Sequence, residues 1–77
     1  MKELTKNQSE LLYEIAEKHQ DWYAMHYDEP PSFDVLLELN HRKLSYKITS
    51  TMSDSDITNM LESMLQNYID LINYYDK

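Results

Sequence analysis

No cysteine occurs among the 77 residues, so this short chain has no disulfide and no thiolate–zinc site to hold it and must fold on its apolar side chains alone. A domain of this size buries only roughly 60% of the surface its extended chain exposes. Such a fold is marginal, which makes docking or self-association a reasonable expectation. The absence of thiols fits a reducing compartment. No run reaches the ~18 apolar residues of a membrane span, and MKELTKNQSE lacks the apolar centre of a signal peptide. These features together imply a cytoplasmic protein with no membrane partner.

Thr5-Lys6-Asn7-Gln8 has the form of a capping box, in which a threonine hydroxyl and a glutamine side chain each satisfy an orphan backbone N–H at a helix start. Leu11, Leu12, Ile15, Ala16, His19, Trp22, Tyr23 and His26 then recur at helical spacing. This predicts a helix over about 6–27, stopped by Pro30-Pro31. Further on, Ser53 is a good N-cap, Asp54 and Asp56 suit the positive end of a helix dipole, and Met52 and Ile57 occupy staple positions. Ile57, Met60, Leu61, Met64, Leu65, Tyr68, Leu71, Ile72 and Tyr75 form a broad apolar stripe, which predicts a second helix over about 54–75.

Between these helices, Phe33, Val35, Leu37 and Leu39 alternate with Asp34, Leu36, Glu38 and Asn40, and Leu44, Tyr46 and Ile48 alternate with Ser45, Lys47 and Thr49. A period of two predicts two strands, an antiparallel hairpin over about 33–50. With Asn40-His41 at the turn, Glu38 faces Lys43 and Asp34 faces Lys47. With His41-Arg42 there, Leu39 faces Leu44 and Val35 faces Ile48. Both registers keep the same side chains on the apolar face. The expected fold is therefore a single two-layer α+β domain of order α-β-β-α, the hairpin covered by two amphipathic helices. Its open ribbon edges would be places where another strand can add.

Charge is unevenly distributed. The chain carries 14 acids against 7 bases, net −7, which argues against a direct nucleic-acid partner. The segment 33–50 alone has a basic excess, three bases to two acids. On the first helix, at 100° per residue, Glu3, Glu10, Glu14, Glu17, Asp21 and Asp28 fall within about a 60° sector opposite the apolar stripe. From Glu10 to Asp28 such a ridge would run roughly 27 Å. Neighbouring like charges each cost about 0.2–0.5 kcal/mol, offset only in part by a Glu14/Lys18 pair. A solvated face that keeps a small protein soluble explains the ridge at the least. A surface for a basic groove on another protein explains its concentration on one helix. Tyr13 and Tyr27 lie off the apolar stripe, and Tyr13 is the candidate anchor beside the acids.

Other chemistry finds little to stand on. There is no glycine for a phosphate-cradling loop or a nucleophile turn and no cysteine nucleophile, so neither catalysis nor a cofactor is implied. His19 and His26 are seven residues apart on the apolar side rather than at the three or four of a helical metal pair. Asp54-Ser55-Asp56 lacks the rest of a calcium loop.

LTKNQSELLYEIAEKH resembles the first helix of some winged-helix DNA-binding domains. That family places two more helices, one a basic recognition helix, ahead of its ribbon, whereas here DEPPS leads straight into the alternating segment. In composition the chain resembles the small, acidic, cysteine-free accessory proteins of phages and mobile elements, including inhibitors of host nucleases and defence systems. The expectation is a non-enzymatic protein-binding module that inhibits a nucleic-acid-binding protein through Glu10, Glu14, Glu17, Asp21 and Asp28, with Tyr13 beside them. The alternative is a homodimeric assembly protein joined through a ribbon edge or the last helix.

Overall fold

A computed structural model describes residues 3–75, which form three helices: α1 (Lys6–His26), α2 (Phe33–Lys47) and α3 (Asp54–Tyr75). Among the described residues there is no strand. The α+β class, the α-β-β-α order and the hairpin over 33–50 are therefore incorrect, and the chain is an all-α, three-helix domain. The winged-helix resemblance ends with α1, since no ribbon follows.

The reason lies in the residues of α2. A strand would have turned Leu36 to the polar side with Asp34, Glu38 and Asn40. In the helix Leu36, Asn40 and Leu44 are buried together, one turn apart. The segment is rich in leucine, with Glu38, Arg42 and Lys43 among good helix formers, and Val35 is its one β-branched residue. A hairpin turn wants positive φ, and no described residue adopts it. Ser32 caps the helix, its Oγ accepting from the Val35 N–H at 3.4 Å, and Asp34 and Lys47 lie at the ends where the dipole favours their charges. Glu38 accepts from Arg42 at 2.8 Å, one turn away, instead of facing Lys43 across a ribbon. Asn40, His41 and Arg42, expected at the hairpin turn, are part of this helix.

Both other helices begin on reciprocal caps. The Gln8 N–H donates to Thr5 Oγ1 at 3.2 Å, and the Thr5 N–H donates to Gln8 Oε1 at 3.0 Å. At the start of α3 the Asp56 N–H donates to Ser53 Oγ and the Ser53 N–H to Asp56 Oδ2, both at 3.2 Å. Each cap is worth about 1 kcal/mol. Gln8 does more than cap, because its buried Nε2 also donates to the Asp54 carbonyl at 3.1 Å and to Thr58 Oγ1 at 3.3 Å. One side chain thus ties the first turn of α1 to the first turn of α3.

That tie sets the register. Gln8 meets Asp54 and Thr58, His19 stacks on Tyr68, and His26 meets the edge of Tyr75. α1 and α3 therefore lie side by side in the same direction, and the intervening chain must return. The connector after α1 doubles back, with Gln20 Nε2 donating to the Pro31 carbonyl at 3.3 Å. α2 then starts against Tyr13 through Phe33 and runs across α1 to bring Asn40 to His19. Leu12 and Ile15 from α1, Leu44 from α2, and Ile57, Leu61 and Met64 from α3 close the core. Full burial of each such side chain contributes about 1.5–3 kcal/mol.

Candidate functional site

Because α2 and α3 occupy two flanks of α1, the flank opposite its buried side chains is left to solvent. Glu10, Glu14, Glu17 and Asp21 lie there, all exposed. Steps of four, three and four residues put them on successive turns over about 16 Å. Among the described residues none of these carboxylates makes a hydrogen bond or an ion pair. The expected partner of Glu14, Lys18, is half-buried and forms no ion pair with it. Asp28 falls beyond the C-cap Tyr27, in the bend after α1, and Glu3 precedes the N-cap Thr5, so the helical part of the ridge stops at Asp21. Tyr27 tilts against Tyr23 at 5.5 Å rather than standing beside the acids.

Tyr13 is the anchor that the fold does place next to the ridge. It is 51% exposed and its ring stacks on Phe33 at 5.6 Å and 28°. It also forms one wall of a groove of about 660 Å³ between the first half of α1 and α2. Leu4, Leu12 and Leu37 supply the apolar surface of that groove, and Glu3, Asp34, Glu38 and His41 its polar lining. The strand reading hides this groove, because a strand sends Leu37 to the opposite face from Asp34 and Glu38. The signal was present: 34, 37, 38 and 41 follow steps of three, one and three, which share one face only on a helix.

A buried polar pair, His19 and Asn40, lies at the meeting point of the three helices. His19 is 5% exposed and stacks on Tyr68 at 4.6 Å, with the Tyr23 ring tilted against it at 4.9 Å. Asn40 Nδ2 donates to the Leu36 carbonyl at 2.8 Å and lies 3.1 Å from His19 Nδ1. The short contact to a carbonyl fixes the amide's orientation, so His19 Nδ1 must accept and the imidazole is neutral with its proton on Nε2. Burial, reinforced by the Lys43 ammonium, lowers the His19 pKa from its ordinary 6.5. Burial, then Tyr23, raises that of Tyr68 from 10.0. His19 is committed to packing and hydrogen bonding. Among the described residues no three histidines, aspartates or glutamates are placed to hold a metal ion.

Fold and surface together define a class: a small three-helix domain with an acidic face beside an open, acid-rimmed groove. Compared with family models, with curated proteins and with solved structures, the chain matches none. Among the described residues no helix is long and apolar enough to cross a membrane.

Proposed function

We propose that this is a non-enzymatic, cytoplasmic binding module that lays the acidic face of α1 on a basic surface of another protein. The partner class that suits it best is a nucleic-acid-binding protein, whose phosphate-binding groove the carboxylates would block. In this reading the chain is a phage or mobile-element accessory protein directed at a host nuclease or defence system.

The observation that carries the proposal is the row formed by Glu10, Glu14, Glu17 and Asp21, exposed and without a cation among the described residues. Carboxylates one turn apart repel at about 0.2–0.5 kcal/mol per pair, whereas Glu38 on α2 has its arginine one turn on. A basic partner would turn that repulsion into attraction and speed encounter. Because exposed charges are screened over about 8 Å at physiological salt, such binding is salt-sensitive.

The test is affinity capture from a bacterial lysate over a series of salt concentrations, comparing the wild type with the folded variant E14K/E17K/D21K. Nucleic-acid-binding proteins captured by the wild type, lost by the variant and released by salt support the proposal. An unchanged set of captured proteins, or none, overturns it.

A homodimer has less to use than the sequence promised. There is no ribbon edge among the described residues, and on the last helix Leu61 is buried and Leu65 and Tyr68 pack on the core, which leaves Leu71, Tyr74 and Tyr75 exposed. Solution mass is expected to be that of a monomer.

A further inference from the structure

The groove between α1 and α2 has its own chemistry. Its apolar surface comes from Leu4, Leu12, Tyr13 and Leu37, and its volume of about 660 Å³ lies within the ~300–1,000 Å³ usual for binding pockets. The charged residues lining it are Glu3, Asp34 and Glu38, with no lysine or arginine among the described lining residues. Glu38 is held by Arg42; Glu3 and Asp34 make no ion pair among the described residues. An anion or nucleic acid is repelled here, and the carboxylates do not converge as a metal site requires. A second copy of this chain would bring its own net charge of −7 against the same rim.

We propose that the groove receives a basic amphipathic segment of a protein, its apolar side chain seated on Leu12, Leu37 and Tyr13 and its flanking lysine or arginine paired with Glu3 and Asp34. The match is one of charge and polarity together: an apolar floor wants an apolar anchor, and a rim whose Glu3 and Asp34 make no ion pair among the described residues wants a basic one. Tyr13 lies between this groove and the acidic row of α1, so one partner could lie along both. The inference deepens the function proposed above and takes from it the partner's basic character. Where that reading asks only for charge, this one requires an apolar anchor and a defined seat.

The probe is a fluorescent helical peptide of leucines and lysines, with a control in which every leucine is serine, measured by anisotropy against the full chain. Amide chemical-shift changes map each contact. The expected result is preference for the leucine peptide, with shifts at Tyr13, Asp34, Leu37 and His41. Affinity should fall about three- to tenfold in E3Q/D34N, as expected of one or two exposed ion pairs. The wild-type shifts serve as a record of the seat that does not depend on any variant folding. Equal binding of both peptides, or shifts confined to Glu10–Asp21 or to α3, overturns the groove. The two proposals separate through E14K/E17K/D21K: loss of the serine peptide alone marks the acidic row, while a leucine peptide that keeps its groove shifts in that variant marks the groove independently.

Discussion

Asn40 divides the two hydrogens of one amide nitrogen between the Leu36 carbonyl and His19 Nδ1. Protonating His19 would aim a second donor at that nitrogen, and flipping the amide to receive it would set Oδ1 against the Leu36 carbonyl. Geometry and burial therefore act in the same direction, lowering the His19 pKa below its ordinary 6.5. In the unfolded chain the imidazole takes up its proton at the ordinary value, so the unfolded state binds more protons between the two values and stability rises with pH there. The neutral His19 contributes fully above about pH 6.5 and its contribution is lost as pH falls through the folded value. Urea midpoints measured from pH 8 down to pH 5 should fall more steeply in the wild type than in H19F, since the phenyl ring has no proton to gain. Parallel slopes would mean that His19 is not the titrating group. No short motif marks this pair in the sequence: His19 reads there as one more residue of the apolar stripe, and Asn40 as a turn.

At the scale of elements, α1 and α3 were legible because their ends are written locally. Thr5 with Gln8, and Ser53 with Asp56, lie three residues apart and need nothing else to act as caps. α2 was misread because its apolar residues satisfy two periods at once, Phe33, Val35, Leu37 and Leu39 by twos, and Leu36, Leu37, Asn40 and Leu44 by threes and fours. The two readings make opposite demands on Leu44 and Tyr46, which share a face on a strand but not on a helix. Leu44 is 0% exposed and Tyr46 90%. Accordingly, L44A should cost about 2–5 kcal/mol and Y46A less than about 0.5 kcal/mol in denaturant unfolding. Similar losses at both would return the segment to a strand. H41G offers an independent check, since glycine inside an exposed helix costs about 1 kcal/mol, whereas a glycine following Asn40 would favour a hairpin turn. A lowered thermal midpoint supports α2.

For the molecule as a whole, the acidic row of α1 and its binding role should pull stability and function apart. Glu14 has Glu10 and Glu17 as neighbours one turn away on either side, so E14K replaces two repulsions with two attractions, against one new repulsion with Lys18. The free protein should become more stable by a few tenths of a kcal/mol, seen as a raised thermal midpoint at low salt that converges with wild type as salt is added, while capture of a basic partner weakens. A variant that lost stability together with binding would show instead that Glu14 supports the fold. Placing four α1 carboxylates on such a surface is easy for this chain, because its core draws on the opposite side of the same helix, through Leu12, Ile15, Ala16 and His19.

The sequence by itself determined where α1 and α3 begin, which flank of α1 is buried and that its acids share the other. Those properties depend on residues within a turn or two of one another. Tertiary structure alone decided that the middle segment is a helix, that α1 and α3 run in the same direction, and that Asn40 meets His19. It also decided that Asp34, Leu37, Glu38 and His41 line a groove with Leu4 and Tyr13. The middle segment is apolar enough on either period to form a strand or a helix. Its choice was made by contacts with α1 and α3, distant in sequence, that bury Leu36, Asn40 and Leu44 together.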